Sequence, residues 1–317
     1  MPFDPGDPLA PGEREVRLSV IGVISAHLQK EAIVPWQGHD LDFTGATFVG
    51  GDFSGAEFRG SAVTFKGAAF DGSAVTFKGA AFNGGLVTFD GAMFKGGDVG
   101  FEGAAFSGGI VSFEGAAFDG GIVSFDGAMF KGGTVSFEGA AFRDGTVTFK
   151  GAQLLDGHVI FKGAAFSGSA VIFARAMLSG GTVRFARAAF SGGTVSFKDA
   201  TFPDGTVSFE GAMFLPAGTV SFGGAGFSFG AVVNFEGATF GGGAVTFDGA
   251  TFSGGAVTFD RAAFSRGAVT FFGAAFSGCL VDLMQVRDWS APPRGLPTSP
   301  TRGLTVPPSD WVPMPDE

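Results

Sequence analysis

Hydrophobic residues recur along this chain in pairs spaced two apart, and the pattern repeats with a period of twelve. In the cleanest unit, Val-Thr-Phe-Lys-Gly-Ala-Ala-Phe, Val63 and Phe65 form one pair and Ala68 and Phe70 the next. Side chains two residues apart lie on the same side of an extended segment. Each pair therefore predicts a short strand with two inward side chains and one outward side chain between them.

The unit occurs eighteen times between Phe65 and Phe271, which is typical of a solenoid whose units stack to make one continuous core. The inward Phe residues alternate between spacings of five and seven, and the longer step contains a Gly-rich corner that tolerates positive φ, such as Asn83-Gly84-Gly85. Two steps of eight, Phe214 to Phe222 and Phe227 to Phe235, place insertions at this corner. The predicted structural core is represented by Phe65, Phe70, Phe77 and Phe82.

The first repeats are spaced strictly by five, at Phe43, Phe48, Phe53 and Phe58. Ala46 and Ala56 stand two residues before Phe48 and Phe58, so this segment resembles the pentapeptide repeat family, in a bacterial, Phe-rich subgroup with alternating five- and seven-residue spacing. The resemblance covers residues 41–283. It implies an all-β solenoid, a right-handed four-sided parallel β-helix whose coil is made of four pentapeptides, and right-handedness agrees with the usual parallel crossover.

Most of the chain departs from that motif, since alternating steps of five and seven require a 24-residue coil for four faces. A 12-residue coil with two faces is the alternative. Two large rings per coil need more width than two faces enclose, which favours four faces. About ten coils at roughly 4.8 Å would give a rod on the order of 50 Å long.

The two ends break the repeat. Residues 1–40 form an N-terminal tail and a capping helix near 13–30, whose helical period includes Val16, Val20, Ile21, Ile24 and Leu28; a membrane-surface helix is the less favoured alternative. Residues 284–317 contain eight Pro and are expected to be unable to continue the ladder, with Trp289 and Trp311 folding back. The N-terminal segment also resembles family members that have a longer helical region before the solenoid, so a helical or membrane-anchored portion is expected to be missing.

Composition favours a structural protein over an enzyme. The 317 residues include 56 Gly, 41 Phe and no Tyr, which suits a dry interior. His27, His39 and His158 lack metal-ligand spacing, and the single Cys279 is interpreted as a small corner residue. We expect no enzymatic activity, no cofactor, no metal and no small-molecule substrate. An acidic N-terminus and the lack of a long apolar run predict a cytoplasmic protein.

The outward positions contain the candidate interaction surface. A 24-residue coil places Asp90, Glu114 and Glu138 in one column and Glu102 and Asp126 in another, where like charges are expected to repel. The residues between inward Ala and Phe are mostly Ala, Met or Thr, and give two weakly apolar strips on opposite faces. Met93 lies on one strip, and Met129 and Met177 lie on the other.

Charge alternates along the rod. The net charge of −10 divides into about −5 over 90–138, +5 over 143–198 and −6 over 199–260. Some pentapeptide repeat proteins mimic DNA and bind DNA gyrase or topoisomerase IV, but a basic belt would repel a site built for phosphates. That belt contains Lys150, Lys162, Arg175, Arg184, Arg187 and Lys198.

The favoured function is therefore a protein-protein interaction or scaffold module with an unidentified protein partner or a second copy in a homodimer. Topoisomerase binding is the alternative, and no direct nucleic-acid binding is expected. A minor alternative is ice binding by hydroxyl ladders such as Thr64, Thr88, Ser112 and Ser136, which Ile160, Arg184 and Ile172 interrupt.

Overall fold

The computed structural model describes residues 12–59, 62–71, 74–228, 230–278, 280–297 and 304–306. The expectations for Cys279 and Trp311 lie outside these residues. In the described part, one helix precedes a β-solenoid of about 11 turns with four parallel sheets. The four-sided coil is thereby confirmed.

Each coil visits four faces in chain order, and every face is one sheet. Face 1 has twelve strands: Leu41–Asp42, Ala62–Thr64, Leu86–Thr88, Ile110–Ser112, Thr134–Ser136, His158–Ile160, Thr182–Arg184, Thr206–Ser208, Val232–Asn234, Ala256–Thr258, Leu280–Asp282 and Leu304–Thr305. Face 2 has nine: Thr47–Phe48, Ala69–Asp71, Met93–Lys95, Ala117–Asp119, Ala141–Arg143, Ala165–Ser167, Ala189–Ser191, Met213–Phe214 and Thr239–Phe240.

Faces 3 and 4 each have ten strands. Those of face 3 are Gly51–Asp52, Val75–Thr76, Val99–Gly100, Ile122–Ser124, Thr146–Thr148, Ala170–Ile172, Thr194–Ser196, Thr219–Ser221, Ala244–Thr246 and Ala268–Thr270. Those of face 4 are Glu57–Arg59, Ala81–Asn83, Ala105–Ser107, Met129–Lys131, Gln153–Leu155, Met177–Ser179, Thr201–Phe202, Gly226–Phe227, Thr251–Phe252 and Ala275–Phe276.

The register gives the length of a coil. Val87 pairs with Val111 and Val111 pairs with Val135, which confirms the 24-residue coil. Thr194 pairs with Thr219 and Thr206 with Val232, so the longer steps occur where Phe-to-Phe spacings of eight predicted insertions. Insertions therefore enter at corners and leave the packed faces in register.

Stacked Phe rings fill the interior. Phe65, Phe70, Phe77 and Phe82 are all buried. Phe65 stacks on Phe89 of the next coil with ring centroids 4.7 Å apart, and it meets Phe77 across the coil edge-to-face at 6.1 Å. Both arrangements are favoured by the ring quadrupole. Columns of parallel rings, joined by perpendicular contacts, thus make one continuous core.

Both kinds of corner need left-handed backbone. At the long corner, Gly84 and Gly85 have φ of 70° and 75°, as their sequence indicated. The short corner between Phe and Ala uses it too, as at Gly115 with φ 63°. At this short corner a few coils place another residue in the same conformation, for example Arg187 with φ 57°. Such residues adopt it at a higher free energy than Gly.

The N-terminal helix, α1, spans Glu13–Leu28 and covers the first coil with one of its two apolar sides. Ile21 and Leu28 are buried, and Ile21 reaches the coil because Gly51 has no side chain; a Cβ there would lie 3.2 Å from Ile21. Val16 and Val20 are exposed on the opposite side. Their predicted place on the capping stripe is wrong because only the side that includes Ile21 meets the sheet.

The C-terminal segment continues the coil. Leu304–Thr305 pairs in parallel with Val281 and Asp282 as the last strand of face 1, and Trp289 packs edge-to-face on Phe264 at 5.7 Å. The folding back of Trp289 is confirmed. The expectation that the tail could not continue the ladder is wrong, because the residues between the prolines still present backbone donors and acceptors.

Candidate interaction surfaces

Faces 2 and 4 present weakly apolar strips on opposite sides of the rod. On face 2, Met93 stands between Ala69 and Ala117 in register, and its residue exposure is 42%. On face 4, Gln153 separates Met129 from Met177. The three methionines therefore belong to two surfaces, as their spacing predicted, and cannot contact one partner surface together.

The named carboxylates lie at two short corners, which we call edges. The 1–2 edge joins faces 1 and 2, and the 3–4 edge joins faces 3 and 4. Backbone bonds between successive coils place Asp90, Glu114 and Glu138 on the 1–2 edge, and Glu102 with Asp126 on the 3–4 edge. Since the chain visits the faces in order, these two edges are diagonally opposite across the rod.

Hydrogen bonds to the next coil satisfy the aspartates of these columns. Ser112 donates its hydroxyl to Asp90 Oδ1 at 2.5 Å, and the Glu114 amide donates to the same oxygen at 3.1 Å. Asp126 Oδ1 accepts equivalent bonds at 2.5 and 2.9 Å from the Thr148 hydroxyl and the Lys150 amide. Asp90 and Asp126 therefore each join two coils, in addition to facing like charges in their columns.

Basic residues interrupt both columns and form two separate clusters. Lys162 follows Glu138 on the 1–2 edge and pairs with it at 2.7 Å. Arg184 and Arg187 lie in the next coil beside that edge. The remaining residues of the predicted belt lie on the 3–4 edge: Lys150, Arg175 and Lys198.

A ladder of charges that alternate in sign follows one end of the face 2 strands and includes an ion pair. Asp71, Lys95, Asp119 and Arg143 occupy consecutive coils, and Arg143 pairs with Asp119 at 3.2 Å. Both side chains are well exposed. Such a pair contributes little to stability and mainly keeps this corner solvated.

The hydroxyl ladder of face 1 is in register but incomplete. Thr88, Ser112 and Ser136 are aligned, and Ile160 and Arg184 continue the same column. Ser112 is buried and donates its hydroxyl to Asp90. A flat array of free hydroxyls is therefore not available along this face.

The exposed side of α1 forms a shallow apolar cavity of about 470 Å³. It is lined by Glu15, Val16, Ser19, Val20, Val23, Ile24 and Trp36. Trp36 also stacks on His27 with centroids 4.2 Å apart and packs against the core. Among the described residues, no helix is long and apolar enough to cross a membrane.

Two histidines and several carboxylates of the described residues make local hydrogen bonds. His27 Nδ1 lies 2.7 Å from the Val34 carbonyl oxygen, and His158 Nδ1 lies 2.6 Å from the Thr182 hydroxyl. Within the described ranges, no three His, Cys, Asp or Glu side chains cluster as a metal site would require. Hydrogen bonds from Ser54 lower the pKa of Asp52 in the first coil, and hydrogen bonds from Ser290 lower that of Asp288 beside the last.

Comparisons with known proteins give matches among solved structures alone. No protein-family model and no curated protein matches the sequence. Among solved structures, HetL, a pentapeptide repeat protein involved in heterocyst differentiation regulation from the cyanobacterium Nostoc sp., is 15% identical with a TM-score of 0.27, over 64% of this chain and 90% of HetL.

Two trypsin-treated structures of QnrB1, a plasmid-mediated fluoroquinolone resistance protein, are also similar. They are 16% and 17% identical, with TM-scores of 0.22 and 0.18, over 77% and 79% of this chain and 92% and 87% of theirs. At these TM-scores the likeness supports no argument about activity. The assignment of a four-sided solenoid rests on the sheets described above.

Proposed function

We propose that this protein is a non-enzymatic scaffold that binds a protein partner through the outward strips of its solenoid. The observation that supports it best is face 2, where nine parallel strands stay in register and present mainly Ala, Met and Thr to solvent. Flat apolar strips with charged edges are typical of protein interaction sites. The rod would hold its partners at fixed spacings, since each coil adds about 4.8 Å.

Outward Lys substitutions test this function, because they charge a strip without filling the core. We would compare capture of partners by the intact chain with capture by Ala117→Lys on face 2 and Met129→Lys on face 4. Ser136→Lys on face 1 is the matched control. Loss of a captured protein with one strip variant, but not with the control, supports the scaffold; equal capture by all three contradicts it.

Topoisomerase binding is the second proposal, and the column of Asp90, Glu114 and Glu138 favours it because it lines one edge of the rod with three carboxylates in successive coils. Against it, Asp90 is already hydrogen bonded and Glu138 already pairs with Lys162. Gyrase supercoiling assays with micromolar protein would decide it. Unchanged supercoiling rejects this proposal and leaves the scaffold proposal intact.

A further inference from the structure

The 1–2 edge has an order of charges that becomes complementary when it is reversed. Backbone bonds from each corner to the next coil establish that order. From coil to coil the same position of this corner holds Glu138, Lys162, Ala186, Glu210, Glu236 and Asp260, and Arg187 and Arg261 follow Ala186 and Asp260 at the next position. Reversal about the point between Arg187 and Glu210 places Glu210 opposite Arg187 and Glu236 opposite Lys162, over the four central coils.

We propose that two copies of this chain pair antiparallel, with face 2 on face 2 and the 1–2 edges side by side. A two-fold axis between the coils of Arg187 and Glu210 sets Arg187 against Glu210 of the second copy. It also brings Lys162, which pairs with Glu138 of its own copy, beside Glu236 of the second copy. In the outer coils Glu138 meets both Asp260 and Arg261, so the complementary contacts are the two inner ones, and each of them occurs twice.

Face 2 fits the same axis. Ala189 and Met213 are paired neighbours in successive coils, so the two-fold places Met213 of each copy over Ala189 of the other. Met213 is 46% exposed, and Leu215 beside it is 38% exposed. A long flexible side chain opposite a methyl group gives close packing without a cavity. One coil further out, Ala165 would meet Thr239.

The charged groups at the centre are available for pairing. Over the described ranges, the side chains of Arg187, Glu210, Glu236 and Arg261 form no hydrogen bond and no ion pair. All four residues are exposed. Arg187 and Arg261 also occupy short corners with φ of 57° and 55°, where most coils have Gly. These arginines keep a less favourable backbone conformation that glycine would relieve, as residues at functional sites often do.

The 3–4 edge offers a weaker version of this pairing. A reversal of this edge about the point between Asp126 and Lys150 would set these two charges against each other. The Asp126 carboxylate, however, already accepts hydrogen bonds from the next coil. The matching axis on face 4 would also bring Met129 against Gln153, two long side chains. The 1–2 edge is therefore favoured, because its central charges have no partner among the described residues and because Met213 would pack on the small side chain of Ala189.

The predicted contact is small. Six coils at about 4.8 Å span roughly 30 Å, and with a width on the order of 20 Å each copy would bury about 600 Å². The total for both copies, about 1,200 Å², lies at the low end of specific interfaces. We therefore expect a dimer with a dissociation constant in the micromolar range that weakens as salt screens the ion pairs.

Sedimentation equilibrium of the full chain, from 1 to about 200 μM, tests the proposal. Arg187→Gly is the central variant because it removes the charge and relieves the positive φ, so misfolding cannot explain a lost dimer. Each dimer loses two ion pairs, and we expect about tenfold weaker association. Arg175→Gly makes the same change on the 3–4 edge and should leave association unchanged.

A charge exchange identifies the partner of Arg187. Arg187→Glu should weaken the dimer by about a hundredfold, and adding Glu210→Arg should restore it to within about fivefold of the wild type. A monomeric wild type, a failed restoration, or a larger effect of Arg175→Gly than of Arg187→Gly would overturn the pairing.

This inference rests on the proposed scaffold function because it assigns face 2 to a second copy. The two can still fail separately. A monomer that captures another protein through face 2 or face 4 rejects the self-pairing and keeps the scaffold. A charge-dependent dimer whose outward strips capture nothing else leaves self-association as the function of face 2.

Discussion

Truncation of one central ring tests whether the stacked Phe columns stabilise the whole solenoid. Phe137 is buried, and its ring centroid lies 4.8 Å from those of Phe113 and Phe161 in the adjacent coils. It also meets Phe125 and Phe149 edge-to-face at 6.1 and 6.5 Å. Phe137→Ala removes the packing on both sides and across the coil.

The magnitude follows from burial and cavity terms. Loss of the ring costs about 2–3 kcal/mol of transfer free energy. A residual cavity on the order of 80 Å³ adds about 2 kcal/mol at about 24 cal/mol per Å³. We therefore expect a loss of about 4–5 kcal/mol. Phe137→Leu should cost about 1–2 kcal/mol, since Leu154 and Leu178 replace Phe at buried positions of a different inward column, on face 4.

Urea unfolding followed by far-UV circular dichroism measures this loss, and hydrogen exchange shows which coils open. Phe276→Ala is the matched control because Phe276 is only partly buried in a terminal coil, where it stacks on Phe252 at 5.2 Å. It should cost about 1–2 kcal/mol and loosen that end alone. Equal losses at the two positions, or a loss below about 1.5 kcal/mol for Phe137→Ala, would refute the reasoning.

Four further predictions concern corners and coil-to-coil bonds. Gly115→Ala, with φ 63° and open space around its Cβ, should cost about 1 kcal/mol in thermal unfolding; Gly121→Ala should cost more, because its Cβ would meet a carbonyl of the neighbouring coil. Asp199→Gly, at φ 57°, should stabilise by about 0.5–1 kcal/mol, and an unchanged Tm would contradict the assigned strain. Asp126→Ala should lower the free energy of unfolding by about 1–2 kcal/mol and speed hydrogen exchange of the amide that donates to Asp126. Asp126→Asn keeps an acceptor oxygen and should largely preserve both the stability and the slow exchange. Hydrogen bonds lower the pKa of Asp288 below 3.8, so its stabilisation is present above that pH and is lost as pH falls through the lowered value; the difference between wild type and Asp288→Asn should shrink in acid.

Much of the fold could be predicted because every unit of the repeat has the same spacing of inward side chains. Two-residue spacing decides which side chains face inward, as at Val63 and Phe65, and the size of Phe favours four faces over two. Contacts made by the segments outside the repeat could not be predicted, because no periodic pattern indicates their partners. Val16 follows the same helical stripe as Ile21, yet only Ile21 meets the coil, because the angle of α1 depends on the shape of the first turn. The final strand at Leu304–Thr305 depends likewise on the edge left open by the last coil.

The sequence by itself determined the inward columns and the corner insertions, and it favoured four faces, from which the charge columns follow, since all of these depend on counting along a regular coil. Only the tertiary structure decided what those charges contact. It showed that Asp90 and Asp126 join coils, and that the basic belt is two diagonal clusters rather than one band. The physical reason is that residues one full coil apart become neighbours, while residues half a coil apart are moved to opposite sides of the rod.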